Sequence, residues 1–435
     1  MRIRSTAPVV ATLLSGALLL TACGGSDDEA ASSSGGGDGD VELSVSLFGT
    51  MGFEESALFE EYEKQNPGVQ INYESTQGED KYWPALQTKL ASGSGLADVQ
   101  GIEVARIADV VANQSDKWTD LTTLQATKDI AANYVEWKAA AATTEDGKVL
   151  GAGTDIGPMA LCYRTDLLEQ AGLPTDPAEL AARLGSWDDY VALGEEYKAA
   201  APEGSAWMDS AGGFYNAMVS TSEEIYYDEA GELVYDSNPA VKEAFDTAAA
   251  AGEAGLTARL EQFVDPAWDQ GFASGSFATI ACPSWMIGYI KGKAGDAGAG
   301  KWNVTPLPGG EGGNWGGSYL AIPESSENKE EAAKLIAWLT DGEQQATVFK
   351  NVGNFPSTTD GIANVGDATD EYFNGAPIGE IFTASADAAP TQILGQDDGV
   401  LKNTLVKALL SVEANGVPAQ EAWDSAVSQV ENQLG

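Results

Sequence analysis

The sequence predicts an α/β protein of two lobes, with the chain crossing between the lobes several times and a ligand cleft at the hinge. Residues 41–104 alternate between short strands and amphipathic helices, which is typical of a parallel sheet covered by helices. Glycine-rich segments near 151–158, 309–317 and 353–361 then divide the later sequence in an interleaved way. Lobes that are joined by several such segments can close over a ligand.

The first elements are the clearest. Val41–Phe48 alternates apolar and polar residues, which predicts a strand. Phe53–Gln65 places Leu58, Phe59 and Tyr62 on one face, which predicts a helix. The β-α-β-α-β unit is then completed by a strand at Val69–Tyr73, a helix at Glu79–Ala91 and a strand at Asp98–Val104.

The rest of the chain is predicted to contain strands and helices in both lobes, with an irregular aromatic stretch at Trp207–Tyr227. Strands are predicted at Met159–Tyr163, Ala278–Cys282, Trp302–Leu307 and Ser318–Ile322. Helices are predicted near 127–142 and at Thr165–Ala171, Trp187–Ala200, Pro239–Glu253, Lys329–Leu339, 398–414 and 418–434. We assign 41–155 plus 318–358 to lobe 1, and 156–317 plus 359–435 to lobe 2.

Residues 1–22 predict a lipoprotein signal peptide. An uncharged apolar run, Ala7–Leu20, follows two arginines and is too short for a comfortable membrane span of about 20 apolar residues. It ends in Leu20-Thr21-Ala22-Cys23-Gly24, the pattern of a lipobox, so we expect cleavage before Cys23 and lipidation of Cys23. Residues 23–40 predict a flexible tether. We therefore expect a lipid-anchored protein on the extracytoplasmic face of the cell membrane; an ordinary signal peptide is the alternative.

Charge and composition exclude several functions. The chain of 435 residues has 66 acidic and 23 basic residues, a formal net charge of −43. Such a field repels nucleic acids and anionic lipid headgroups, so we expect membrane contact only through the lipid anchor. The absence of histidine excludes the usual Ser–His and Cys–His catalysis and histidine-ligated metals. We expect no metal and no cofactor.

Two cysteines remain after Cys23 is assigned to lipid. Cys162 and Cys282 both lie in apolar runs that are predicted to be strands. In an oxidising compartment an even pair of this kind forms a disulfide, and two buried free thiols are the alternative.

Aromatic residues in glycine- or proline-containing loops are candidates for ligand contacts. Trp285, Trp315 and Phe355 lie in such loops, where there is little core to fill. A flat ring at such a position can stack on the apolar face of a sugar. Ordinary packing is the alternative for each of the three.

Polar side chains near predicted strand ends are the second set of candidates. Glu103 follows the third strand, Asp155 lies in the first crossing segment, and Asp209 and Asn216 lie in the irregular stretch. Carboxylates and amides can bond sugar hydroxyls, and ligands of α/β sheets bind at the carboxyl ends of strands. The alternative is that these are solvated surface groups.

Six stretches carry a resemblance to a known family: Leu96–Val104, Gly153–Met159, Leu161–Leu167, Cys282–Ile290, Gly313–Ser318 and Gly353–Ser357. On these residues the sequence resembles the actinobacterial cellobiose- or cello-oligosaccharide-binding lipoproteins of ABC importers, in the extracellular solute-binding group that includes maltose-binding protein. The resemblance implies a periplasmic-binding-protein-like fold and a monomer that binds an oligosaccharide without catalysis and presents it to permease subunits.

The resemblance also implies roles for individual residues. Glu103 matches a loop that supplies acidic ligand contacts, Asp155 matches a hinge aspartate, and Trp285 matches a stacking tryptophan. The loop after the first strand, which touches sugar in relatives, corresponds here to Thr50, Met51 and Phe53.

Two other functions remain open. The same capture mechanism would serve a xylo-, chito- or malto-oligosaccharide. A surface glycoside hydrolase would use similar acids and tryptophans, and two carboxylates about 5–10 Å apart would suffice for it.

Overall fold

The structure is a computed structural model and describes residues 41–434. The predicted signal peptide, the lipidated Cys23 and the tether lie outside the described residues. The chain forms two lobes, each built on one β-sheet and covered by helices, which confirms the predicted α/β fold class. The strands are β1 (Val41–Phe48), β2 (Val69–Thr76), β3 (Val99–Glu103), β4 (Ala152–Gly153), β5 (Met159–Arg164), β6 (Ala206–Met208), β7 (Phe277–Pro283), β8 (Trp302–Thr305) and β9 (Ser318–Ala321).

The helices are distributed along the whole described chain. They are α1 (Leu58–Gln65), α2 (Glu79–Ser92), α3 (Val104–Asn113), α4 (Glu136–Ala141), α5 (Thr165–Gln170), α6 (Pro177–Ala181), α7 (Trp187–Ala200), α8 (Ala211–Val219), α9 (Pro239–Glu253), α10 (Pro266–Ser274), α11 (Met286–Ala294), α12 (Lys329–Leu339), α13 (Gly342–Val352), α14 (Thr359–Ala363), α15 (Ile378–Ala388), α16 (Asp398–Asn415) and α17 (Ala419–Leu434).

The first lobe contains a five-stranded sheet in the order β2-β1-β3-β9-β4. As predicted from the β-α-β-α-β pattern, β1 is parallel to β2 and β3. The sheet is nevertheless mixed, because β9 runs antiparallel to both β3 and β4. Leu43, Val45 and Leu47 of β1 are buried in one core, as the alternating pattern requires.

The second lobe contains a four-stranded sheet in the order β6-β7-β5-β8. Its central strand β5 is antiparallel to β7 and β8, and β6 is parallel to β7. Cys162 of β5 and Cys282 of β7 form a disulfide, with Cα atoms 5.4 Å apart. The covalent bond therefore links two neighbouring strands of the second lobe.

The segment Trp207–Tyr227, predicted to be irregular, contains the end of β6 and the helix α8. This part of the prediction was wrong because eight of the nine residues of α8 are buried, so the helix shows no alternation of polar and apolar faces. Its start is fixed by Ser210, whose side chain accepts a hydrogen bond from the Gly213 amide. The helix predicted at Phe53–Gln65 begins only at Leu58, after a series of turns.

Three segments that run between the lobes are hydrogen-bonded side by side. The Ile156 amide donates to the Phe355 carbonyl at 2.9 Å, and the Trp315 amide donates to the Gly157 carbonyl at 2.8 Å. A Cβ atom at Gly157 would overlap the Trp315 carbonyl, so this close approach requires glycine. The exact lobe boundaries assigned from the sequence stay a prediction.

Candidate ligand-binding cleft

An open cavity lies between the lobes, next to the crossing segments, and its empty space together with the solvent at its mouth amounts to about 560 Å³. Its walls come from distant parts of the chain, so neither lobe encloses it alone. The residues that matter for its chemistry are Glu103 and Val104 of the first lobe, Asn216 of α8, Trp315 of a crossing segment, and Gln392 and Asp398 near the start of α16.

Glu103 lies where β3 ends and α3 begins. Its half-buried carboxylate caps the helix by accepting a hydrogen bond from the Ala105 amide at 2.8 Å. The positive end of the helix dipole favours a negative charge at this position. One face of the carboxylate is thus fixed by the protein, while the side chain also lines the cavity.

The cavity has aromatic residues in its wall, Trp315 and Tyr226, and Trp285 packs against Trp315. Trp315 lines the cavity, and its ring centroid lies 6.0 Å from that of Trp285, with the two rings nearly perpendicular at 86°. The Trp285 indole Nε1 donates a hydrogen bond to the Trp315 carbonyl at 2.9 Å. Both rings are half-buried, so each keeps a face that is not packed into a core.

Two acceptor oxygens of the cavity walls have no partner within residues 41–434. They are Oδ1 of Asn216 and Oδ1 of Asp398, and both residues are more than nine-tenths buried. Burial raises the pKa of Asp398 to about 7, although the Gly395 amide and Lys402 oppose the shift. Buried acceptors without partners are unfavourable.

Asp155 is buried beside the crossing segments and does not line the cavity. It accepts hydrogen bonds from the Thr154 hydroxyl at 2.6 Å and from the Ser318 amide at 2.9 Å. Burial raises the pKa of Asp155, and the nearby Lys138 opposes that rise. The arrangement ties two crossing strands together, which fits a hinge role better than a ligand contact.

Lys138 is a buried cation without a hydrogen-bond partner for its Nζ atom in the described part of the chain. Its Nζ lies 3.8 Å from the ring centroid of Tyr319, so the aromatic face replaces a conventional acceptor. Burial lowers the pKa of Lys138 to about 8, against the influence of Asp155 and Glu103.

Asp209 is also buried and does not line the cavity. Its Oδ2 atom accepts hydrogen bonds from Gln262 Nε2 and Trp268 Nε1, both at 2.7 Å. Burial raises the pKa of Asp209 to about 6, and these donors oppose the shift. Asp209 therefore holds the neighbouring segment around Gln262 in place.

The remaining predicted contacts divide into exposed and buried residues. Thr50 is exposed at the end of the loop after β1, and its carbonyl accepts a bond from Asn354 Nδ2 at 3.3 Å. Met51 and Phe53 are buried in the core of the first lobe, and Phe355 is fully buried beside Phe349. In this conformation the rings of Phe53 and Phe355 pack in cores and do not offer a face for stacking.

The C-terminal part contributes a wall of the cavity that was not predicted from the sequence. Gln392 Nε2 donates to the carbonyls of Ser220 and Asn314, and so fixes this wall against α8 and a crossing segment. On the first lobe, Asn113 of α3 donates to Gln396 Oε1 at 3.0 Å. No motif marks these residues, because a loop between helices carries no periodicity; only Asp398, at the start of a predicted helix, could have been suspected.

Within residues 41–434 no helix combines the length and the apolar character that crossing a membrane requires. The same residues contain no group of three or more acidic or cysteine side chains that could hold a metal ion.

Comparison with known proteins identifies the family. The model of the bacterial extracellular solute-binding proteins matches residues 57–372. The chain belongs to this family. A solved structure of an extracellular solute-binding protein, family 1, is 41% identical to this solute-binding protein and covers 90% of it and 99% of its own chain, with a TM-score of 0.75.

Two curated relatives are named as sugar-binding proteins. A lactose-binding protein of Rhizobium radiobacter is 33% identical over 168 residues, which are 38% of this chain and 37% of the relative. An arabinooligosaccharide-binding protein of Bacillus subtilis (strain 168) is 26% identical over 160 residues, 36% of this chain and 34% of the relative. The chain thus matches only about a third of the length of either relative.

The fold of this solute-binding protein is shared with more distant structures. The binding protein of an ABC transporter from B. animalis subsp. lactis Bl-04, in complex with beta-1,6-galactobiose, has a TM-score of 0.76 at 22% identity and covers 89% of this chain and 96% of its own. At this identity the likeness shows the fold.

Proposed function

We propose that this solute-binding protein captures cellobiose or a short cello-oligosaccharide outside the cell and delivers it to an ABC importer. The observation that carries the proposal is the cavity whose walls come from both lobes. Glu103 lines it from the first lobe, while Asn216 and Trp315 line it from the second lobe and a crossing segment. A ligand can favour closure only if it binds the closed form better, which requires contacts to both walls.

The chemistry of the cavity suits a sugar. The Trp315 ring offers an apolar face for stacking, and the acceptors of Asn216 and Asp398 lack donors in residues 41–434. Micromolar or tighter binding, about −8 kcal/mol or better, is what scavenging requires. We propose Glu103, Asn216, Trp285, Trp315 and the exposed Thr50 as the ligand contacts among the residues predicted from the sequence.

The choice of cellobiose rests on the sequence resemblance. The two curated relatives are named for binding lactose and arabinooligosaccharide, and the solved structure named above contains galactobiose, so the glycans of these proteins vary. Xylo-, chito- and malto-oligosaccharides are therefore the direct competitors for the same mechanism. We further propose that the protein is a monomer, anchored by lipid on Cys23 to the extracytoplasmic face, with permease subunits as its partners.

Calorimetric titration of the purified protein against cello-, xylo-, chito- and malto-oligosaccharides tests the proposal. We expect a cello-oligosaccharide to bind at micromolar concentration or below and to remain intact. Tighter binding of another glycan would correct the cargo while supporting the mechanism.

A glycoside hydrolase is the second candidate, because two carboxylates, Glu103 and Asp398, line one cavity. Because the Glu103 carboxylate is engaged as the cap of α3, it is a poor candidate for the catalytic acid or base of a hydrolase. Release of glucose from cellobiose during the incubation would replace capture by hydrolysis.

A further inference from the structure

The segment 256–265 of the second lobe has an unusual backbone. Arg259 and Phe263 adopt φ values of 60° and 63°, and they are two of four non-glycine residues with positive φ in the described chain. Such conformations are unfavourable for residues with a Cβ and persist only where the surroundings hold them. Here the Ala258 amide donates to the Met208 carbonyl at 2.8 Å, and Gln262 is held by Asp209.

This backbone brings an apolar side chain to the surface. Phe263 is 42% exposed and its neighbour Val264 is 55% exposed, which places both among the three most exposed large hydrophobic side chains of residues 41–434. Exposing a phenylalanine in this way forgoes part of the free energy that its burial would contribute. The arrangement is thus doubly unfavourable for folding, through backbone and side chain.

The exposed ring continues the aromatic part of the cleft. The Phe263 centroid lies 6.0 Å from that of Trp285, which in turn lies 6.0 Å from that of Trp315 in the cavity wall. The three rings therefore form a row from the cavity to the surface, which we call the aromatic row: Trp315, Trp285 and Phe263. Successive ring planes differ by 86° and 44°.

Hydrogen-bonding groups lie beside the outer end of the row. Tyr289, whose ring is 5.7 Å from Phe263, donates its hydroxyl proton to Asp269 Oδ1 at 2.6 Å. Lys293 Nζ donates to Asp269 Oδ2, also at 2.6 Å. A ring face bordered by polar groups matches a sugar, which has apolar C–H faces and hydroxyl edges, better than it matches an apolar protein surface.

We propose that Phe263 forms an outer subsite for the sugar units of an oligosaccharide that extend beyond the cavity. The inference rests on the proposed function and deepens it, because it makes the ligand a chain longer than a disaccharide. The inner units occupy the cavity beside Trp315, and the outer units stack on Phe263. Asp209 acts here as a positioning residue, because it anchors the segment that presents the ring.

The test compares sugars of increasing length on matched variants. Titrate a series from disaccharide to hexasaccharide, of the glycan that the wild type binds best, against the wild type, Phe263→Ala, Phe263→Tyr and Val264→Ala. We expect Phe263→Ala to lower the affinity for the longer sugars about 3- to 10-fold, the range for one aromatic contact, and to leave the disaccharide unchanged. Phe263→Tyr keeps a ring, so its affinity should again depend on the length of the sugar. Val264→Ala is the matched control, because it removes exposed apolar surface without changing the aromatic row.

The other outcomes overturn the inference. An equal loss for the disaccharide would show that Phe263 acts through the fold of the segment. No loss for any length would show that sugars do not reach Phe263, including the case in which the exposed ring contacts the permease instead. If the wild type binds no glycan, the proposed function fails together with the subsite, whereas length-independent binding by the wild type removes the subsite alone.

Discussion

The two lobes bring different chemistry to the cleft. The first lobe contributes a carboxylate, Glu103, fixed at the start of α3. The second lobe and the crossing segments contribute the ring of Trp315, which Trp285 supports, the amide of Asn216 and the carboxylate of Asp398. Rings supply affinity through apolar contact, whereas fixed charges discriminate between hydroxyl patterns.

The lobes also differ in how their buried acids are satisfied. In the first lobe, burial would raise the pKa of Asp98, but hydrogen bonds from Ser44, Ser326 and Asn328 lower it overall. In the second lobe, burial raises the pKa of Asp209 to about 6 and that of Glu413 to about 7, although hydrogen-bond donors oppose both shifts. Asp98 is only half-buried and its donors prevail, whereas at Asp209 and Glu413 the deeper burial outweighs the donors.

The largest expected effect is on the disulfide of the second lobe. The bridge spans 120 residues of sequence, and in the chain-entropy model a loop of that length constrains the unfolded state by about 4–5 kcal/mol. Cys162→Ala with Cys282→Ala should lower the free energy of unfolding in urea by about that amount. Reductant should destabilise the wild type and leave the double variant unaffected. The intact mass is measured after alkylation without reductant. If Cys162 or Cys282 is alkylated, the bridge is absent.

The second prediction concerns the buried charges beside the crossing segments. Lys138→Met removes the cation that opposes the raised pKa of Asp155, and the buried carboxylate then lacks compensation. We expect a loss of about 3 kcal/mol in unfolding free energy, the low end for breaking a buried pair, since Asp155 keeps two hydrogen-bond donors. Adding Asp155→Asn should recover most of the loss. Lys64→Met, at an exposed lysine, is the control. If the effects of Lys138→Met and Asp155→Asn on the free energy of unfolding are additive, Lys138 and Asp155 are not coupled.

The third prediction separates the contributions of the lobes to binding. Trp315→Ala or Trp285→Ala should weaken the best glycan about 10- to 100-fold, because stacking area and its geometry are lost. Glu103→Gln should weaken it less, about 3- to 10-fold, and should alter the ranking of glycans more than the tryptophan variants do. Trp338→Ala, at a half-buried tryptophan that packs on Tyr62 away from the cavity, should bind normally. Unchanged affinity in Trp285→Ala would remove that ring from the site.

The smallest effect is a difference in pH dependence. Because the pKa of Glu413 is raised to about 7 in the folded protein, the native state binds a proton that the unfolded state releases. Unfolding free energy should therefore rise as the pH falls from 7 toward 5, with a slope of at most about 1.4 kcal/mol per pH unit for this group. Glu413→Gln should flatten that rise, and the exposed Glu203→Gln should not. Below pH 4 stability should fall again, as Asp98 and other acids with lowered pKa values become protonated.

The strands and helices with a clear pattern could be predicted from the sequence. β1 and the helices α7, α9 and α12 have the predicted bounds, because alternation, a capping residue and an apolar face are properties of neighbouring residues. Eight helices were not predicted: α3, α6, α8, α10, α11, α13, α14 and α15. For α8 the reason is physical, because contacts from other parts of the chain bury eight of its nine residues and erase the amphipathic signal.

The candidate site was predicted less completely than the fold. Glu103, Asn216 and Trp315 line the cavity, whereas Asp155 and Asp209 are buried acids that hold the backbone. The three acids Glu103, Asp155 and Asp209 looked alike in sequence, since a carboxylate near a strand end can face a ligand or a neighbouring amide.

The sequence by itself determined the two-lobe architecture, because local alternation specifies the strands and glycine permits close approach of crossing segments such as that at Gly157. Only the tertiary structure decided which polar and aromatic groups face the cleft. Gln392 became a candidate through a distant neighbour, as its bond to the Asn314 carbonyl, 78 residues apart, shows. Asp398 became one because it lines the same cavity as Glu103, and Phe263 because its ring lies beside that of Trp285. The direction of a side chain depends on what surrounds it, and those surroundings exist only after folding.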